Sequence, residues 1–431
     1  MKQPLTDEQE KLIRKIYSLA CESGISVLGE APDIEKFRNS PLMMKDYTRA
    51  KHKGFQKAQL IIGEELIKIE KAGKAEKYYE CLLRKLADTI AWQLISYHGH
   101  IARRLYKKQK SPTLSTSNYE SLVKASKYVI KENLKFALIS DLTSFIQVGD
   151  LLIVDPLNGK GLSFAEVKEG QVNDEIINLI HDTDGDSNDK LKAFISKRGK
   201  SGLSQLNRVM RQAQRMDSTK NIINDDHGVD SDTGMEIRIN AKEIEVENLS
   251  QKIEHSTEIA RTRGWATDII DDCMFIGSYT GKMRHLSKSV FDVWFHGSGG
   301  NQEDPNYHLA LSISSPTSTP IFAHLGFKNE TKFDLIQHRT ITRVALHIDS
   351  FMELSESIGL KMRWGTRREI GKFAPYIGNM KRNGRPLVAE IGDTRIPISD
   401  ALLTRITFDL MTPRSFLTSL LSVHKEVRKD S

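Results

Sequence analysis

Apolar positions recur at intervals of three and four over residues 7–30 and 46–110, as in Leu60, Ile61, Leu66, Ile67 and Ile69. That spacing predicts helices. The run SPTLSTSN (111–118) breaks the pattern, and another helix is expected near 119–133. Between 136 and 170 the chain changes to short β-like runs, FALIS, FIQVGDLLIV and LSFAEVK. Two acidic loops follow, HDTDGDSND (181–189) and NDDHGVDSDTG (224–234), with a helix predicted near 203–217 between them. MEIRIN (235–240) and CMFIGSYT (273–280) read as strands around a helix at roughly 248–263. Beyond about residue 285, DVWFHG, HLALSIS, PIFAHLGF and TRVALHI read as strands, and 413–428 as a closing helix.

The central order, a helix, three strands, then alternating helices and strands, predicts an α/β (α+β) core with a mixed sheet flanked by helices. At 431 residues the chain is long enough for two or three domains. The pattern divides it into a helical region at 1–95, a core at 96–284 and a C-terminal α+β domain at 285–431, whose role the sequence does not reveal.

Composition narrows the class. Hydrophobic residues at 39% and charged residues at 28% describe a globular chain. No apolar run approaches the roughly 20 residues that span a bilayer, and no membrane partner is expected. The first 20 residues lack the apolar core of a signal peptide. Cys21, Cys81 and Cys273 lie far apart with no C-x-x-C, so neither a disulfide framework nor a zinc knuckle is indicated. A reducing cytoplasm is the expected location. The net charge of +7 is unevenly placed: residues 1–140 hold 26 basic against 16 acidic residues (+10), and 141–240 hold 12 against 17 (−5). A basic flank beside an acidic centre suits a polyanion held near a metal, and equally a solvated helical surface.

The candidate chemistry lies in QVGDLLIVDPLNGKGLSFAEVK (147–168). Asp150 opens a continuous apolar run, Leu151 to Val154, of the kind found in a covered strand. Alternation in LSFAEVK puts Leu162, Phe164, Glu166 and Lys168 on one face and Ala165 and Val167 on the other. Register decides whether Asp150 joins Glu166. A two-residue Asn158-Gly159 turn would set Asp150 opposite Val167, whereas a three-residue Leu157-Asn158-Gly159 loop sets it opposite Glu166. Charges at the end of an interior strand need compensation. A divalent cation shared by two carboxylates would supply it, and so would a buried ion pair between Lys168 and Asp150. The same E-x-K letters recur at Glu330-Thr331-Lys332 without an apolar strand around them, so the letters alone carry little.

Gly149-Asp150, the hairpin and Glu166-Val167-Lys168 followed by a helix together resemble the PD-(D/E)XK nuclease superfamily, which has a restriction-endonuclease-like fold. The resemblance falls within residues 95–280 and is sharp over about 30 of them. It implies that Asp150, Glu166 and the Val167 carbonyl hold Mg2+ or Mn2+, and that Lys168 orients or activates the attacking water. Magnesium prefers carboxylate oxygens and water, lowers the pKa of a bound water and neutralises charge on a phosphate, which agrees with those roles. The chain departs from the family's name at Gly149, which stands where proline would. Asp141 is an alternative upstream carboxylate.

The helix predicted after the hairpin, SGLSQLNRVMRQAQRM (201–216), has an apolar seam of Leu206, Val209, Ala213 and Met216. Beside it runs a polar line of Gln205, Arg208, Gln212 and Arg215. Relatives in the superfamily often bring a glutamine or arginine to the site from such a helix, and Gln205 or Arg208 resembles that element. Gln205 is accordingly expected among the catalytic residues, with Arg103, Arg104, Lys107, Arg208 and Arg215 contacting nucleic-acid phosphates. An amphipathic surface helix explains the same letters. His98 and His100 do not share a helical face, so no metal pair is expected of them. The loop DTDGDSND lacks the glycine and glutamate of an EF-hand. No phosphate loop or nucleophilic triad is present.

The expectation is a magnesium-dependent nuclease, a hydrolase of phosphodiester bonds, with DNA endonuclease as the leading form. Restriction or antiphage defence is the setting the resemblance implies. Its partners would be nucleic acid and either a second copy of the chain or another protein. The alternative is a non-catalytic nucleic-acid-binding or scaffold subunit that keeps the fold, and an RNase is also compatible with the sequence.

Overall fold

The computed structural model describes residues 5–28, 34–73, 76–107, 114, 116–131, 134–156, 161–168, 170–181, 187–232, 234–239, 246–373 and 381–427. The chain divides into two compact units, residues 7–239 and residues 240–431 with the first six residues. The sequence-derived boundary at 95/96 therefore falls inside the first unit. That at 284/285 falls inside the second, within a single helix, Met283–Gly297.

In the first unit, helix α1 (Asp7–Tyr17) is followed by α2 (Pro41–Ala72), α3 (Lys77–Leu94), α4 (Gly99–Leu105) and α5 (Thr116–Ile130). The 32 residues of α2 have clear sequence limits. Ser40 accepts a hydrogen bond from the Met43 N–H, proline opens the first turn, and Gly73 ends the helix in the left-handed region. Its buried face carries Phe55, Ala58, Ile62, Leu66 and Ile67. By contrast α3 is buried around nearly its whole circumference, Arg84, Lys85 and Asp88 included.

Against these helices lies a three-stranded antiparallel sheet in the order β1 (Phe136–Ile139), β2 (Leu151–Val154), β3 (Leu162–Ala165). Every residue of β1 is buried. Its outer edge would leave backbone groups unpaired, and Gln59 of α2 satisfies them. The Gln59 amide donates to the Ala137 carbonyl and accepts from the Ile139 N–H, both at 3.2 Å. Beyond the sheet come α6 (Gln171–His181) and a long helical stretch, α7 (Ser187–Asp225), broken at Gly199. Ile176, Phe194, Leu206 and Val209 form a satellite core between them. The hairpin of β4 (His227–Val229) and β5 (Glu236–Arg238) completes the unit.

The second unit holds a four-stranded antiparallel sheet. Trp265–Ile270, Met274–Thr280, Thr340–Leu346 and Asn306–His308 are its strands, in that order across it. A second four-stranded antiparallel sheet is centred on Arg385–Ile391. The molecule is therefore α+β, but every strand pairing among the described residues is antiparallel, so the expected mixed sheet is not formed by them. Other expectations also change. DVWFHG, taken as a strand, is the end of a helix whose Ser287, Phe291 and Phe295 are buried at intervals of four. PIFAHLGF holds only a 3-10 turn at Ile321–Ala323. In both segments a short apolar run satisfies either period, and packing made the choice.

Candidate active site

The β2–β3 register answers the question that the hairpin posed. Leu151 is opposite Ala165 and Val154 opposite Leu162. That pairing has the parity that the three-residue loop requires; the loop itself, 157–160, lies outside the described residues. The ladder ends one residue short of Asp150, whose N–H donates to the Ala165 carbonyl at 2.9 Å.

Gly149 explains the departure from proline. Its φ of +71° is closed to proline, which is held near −65°. A Cβ there would also lie 3.1 Å from the Phe164 Cβ and 3.3 Å from Met216 Sδ. The close turn leads to Asp150, the residue just before β2.

Glu166, Val167 and Lys168 follow the last paired residue of β3, so the charged triplet lies past the strand rather than within it. The Val167 N–H donates to Asp150 Oδ2 at 2.7 Å. Lys168 Nζ donates to Glu166 Oε2 and to Gln212 Oε1, each at 2.8 Å. The Lys168 ion pair therefore forms with Glu166, not with Asp150 as the alternative compensation supposed. Burial raises the Glu166 carboxyl above its ordinary pKa; the Lys168 bond opposes this, and a hydrogen bond with Asp150 and that residue's charge add to it.

A third carboxyl belongs to the group. Ser140 donates its N–H to the Asp150 carbonyl at 2.9 Å, which places Asp141 at the end of β1 next to this turn. Burial, and secondarily the charge of Asp150, push Asp141 up to about 6, against a smaller opposing effect of Arg84. The sequence weighed Asp141 as a substitute for Asp150, and the structure sets both in one electrostatic neighbourhood.

Buried charges on α3 hold this turn in place. Arg84 donates to the Asp141 carbonyl at 2.7 Å. Asp88, fully buried, accepts from the Ser144 N–H at 2.7 Å and its hydroxyl at 2.5 Å, and pairs with Lys85 at 2.8 Å. Charges so deep are tolerated because each is paired and hydrogen-bonded. Sequence reasoning missed them; the signal was a set of three charges, Arg84, Lys85 and Asp88, within the mostly apolar stretch from Leu82 to Trp92.

The helix residues divide differently from the expectation. Gln205 does not reach the cluster: its Nε2 donates to Asn173 Oδ1 at 2.8 Å. Gln212, two turns along the same polar line, is the residue that meets Lys168. Of the expected phosphate contacts, Lys107 pairs with Asp232 at 3.0 Å and Asp230 at 3.6 Å, and Arg215 with Asp232 at 2.7 Å. Those two cations are thus committed to the turn of the β4–β5 hairpin. Arg103 and Arg208 are exposed and Arg104 half-buried. Glu330-Thr331-Lys332, the copy without a strand, lies on the helix Asn329–Ile336, where residues two apart do not face each other.

Among the described residues, no group of three or more His, Cys, Asp or Glu side chains has the arrangement of a metal site. The donor set suits magnesium nonetheless, because that ion takes one or two carboxylates and keeps several waters. Asp150 and Glu166 offer two such carboxylates near enough for the charge of one to raise the other, and the raised Glu166 and Asp141 mark a place where positive charge is wanted. In comparisons with known proteins, no family model, curated protein or solved structure matches this chain.

Proposed function

We propose that this protein is a divalent-cation-dependent phosphodiesterase acting on nucleic acid, with DNA as the leading substrate. The observation that carries the reading is the meeting of Asp150, Glu166, Lys168 and Gln212, residues up to 62 positions apart, at one end of an antiparallel hairpin, with Asp141 beside them. A structural ion pair needs one acid and one base. The surplus of carboxyl groups here is what a divalent cation would use.

When bound, magnesium would lower the pKa of a coordinated water and offset charge on the phosphate. Asp150 and Glu166 would hold it, with the Val167 carbonyl as a further oxygen. Lys168 has three N–H donors, two of which Glu166 and Gln212 occupy. The third is free to orient a water or a non-bridging phosphate oxygen. Gln212 keeps the ammonium aimed, since an amide oxygen accepts a hydrogen bond without adding charge.

Incubation of the protein with plasmid and linear DNA, with magnesium or manganese, tests the reading. Cleavage is expected with the metal and not in chelator. Glu166→Ala and Lys168→Ala should each lower it by at least about a hundredfold, the scale of removing one charge-stabilising group. Cleavage unchanged by both substitutions ends the proposal. Salt-dependent DNA binding with no cleavage under any of these conditions would assign the chain to the non-catalytic class instead.

A further inference from the structure

A second charged feature lies on the far side of β1 from the carboxyl cluster. Along α2, Lys45, Arg49, Lys53 and Lys57 follow one another at intervals of four and line a cleft of about 530 Å³. Lys131 and Lys135, at and beyond the end of α5, line its opposite wall. None of the described residues lining the cleft is acidic. Asp46, adjacent to Lys45, pairs with Arg49 at 2.8 Å. The row from Lys45 to Lys57 extends over about 18 Å by the helical rise. A single phosphate is held by donors converging on a point, whereas charges spread along a line suit a polymer.

The cleft also holds two unsatisfied polar atoms. His52 Nδ1 and Gln56 Oε1 are buried without a hydrogen-bond partner, and both residues line the cleft. Burial pushes His52 down to about 4, and its ring also bonds the backbone at Leu134. The imidazole is therefore neutral at physiological pH, and its buried Nδ1, like the Gln56 amide oxygen, lacks a polar partner. The His52 ring packs on Phe136 at 5.2 Å, at the opposite end of β1 from Ser140 and Asp141. Along the strand that separation is about 13 Å. A ligand for this cleft must thus present a line of negative charge and also N–H or O–H donors. Polyphosphate has only the first. A nucleic-acid single strand has both, and unlike a duplex it can turn a base inward.

We propose that this cleft binds a single strand of nucleic acid, with phosphates along the Lys45–Lys57 row and a base or sugar donor at His52 and Gln56. The proposal rests on the phosphodiesterase reading for the choice of polymer, but its test is binding alone.

Anisotropy of a labelled 20-nucleotide single strand, titrated in chelator at several salt concentrations, measures it. The combined variant Lys45→Ala, Lys53→Ala and Lys57→Ala should weaken binding at least tenfold. It should also flatten the log affinity against log salt slope by about 2, at roughly 0.7 per lost phosphate contact. All three positions are exposed, so its circular dichroism and Tm should stay those of the unaltered protein. The pair His52→Phe and Gln56→Leu should weaken the oligonucleotide and leave polyphosphate binding unchanged. An unchanged slope in the lysine variant, or a duplex bound more tightly than the single strand, overturns the proposal. Because the titration is run in chelator, where no cleavage is expected, loss of binding here and loss of cleavage in the plasmid assay are separate results.

Discussion

At the scale of single residues, the site turns on which polar atoms meet. Gln205 and Gln212 lie on one polar line of α7, yet only Gln212 touches Lys168. Gln212→Ala should therefore lower cleavage about ten- to a hundredfold, the worth of a hydrogen bond to a charged group, while Gln205→Ala should change it less than about threefold. Both rates come from the same plasmid assay. Asp141 and Glu166 carry a pH signature as well. Their folded-state pKa values are raised, Asp141's to about 6, so the folded chain binds these protons more tightly than the unfolded chain. Their contribution to stability is full below about pH 4 and is lost as pH rises through about 6. In chelator, Tm should fall between pH 4.5 and 7.5, magnesium should reduce the fall, and Asp141→Asn should remove most of it. At 1.36 kcal/mol per pKa unit the Asp141 effect is at most about 3 kcal/mol.

At the scale of elements, the hairpin and the helix beneath it are one device. Four-residue strands are too short to fix the end of a sheet alone. The turn that carries Asp141 and Ser144 is held instead by Arg84, Lys85 and Asp88 of α3. Asp88→Ala would leave the Lys85 ammonium buried without its acid, and a loss of about 3–5 kcal/mol is expected. Urea unfolding measures it. Asp88→Asn, which keeps an acceptor for Ser144, should cost less. The hairpin itself was legible in advance. The pairing of β2 with β3 has the register that loop parity and strand alternation predicted, both short-range properties of the backbone. The α3 anchors were not, because a charged residue in a helix gives no sign of which distant carbonyl or hydroxyl it will meet.

At the scale of the whole molecule, the candidate site and the basic cleft both belong to residues 7–239, and the polar groups that hold the site are satisfied within that unit. A chain of residues 7–239 expressed alone should fold cooperatively, with one thermal transition by circular dichroism. It should also retain the oligonucleotide binding of the full chain. A non-cooperative melt would show that the second unit is needed for the first to fold. The second unit was the less legible part. Its short apolar runs satisfied a strand period and a helical one equally, and Ser287, Phe291 and Phe295 became a helix face through packing.

The sequence by itself determined the long helices, the hairpin and the register of its two strands, because periods of 3.6 and 2 and the parity of a loop are set by neighbouring residues. Only the tertiary structure decided that Gln212 replaces Gln205 beside Lys168, that Asp141 adds a third carboxyl, and that Lys107 and Arg215 are taken up by Asp230 and Asp232. Those outcomes depend on how segments tens of residues apart pack, where a single helical turn, about 5 Å, separates contact from none.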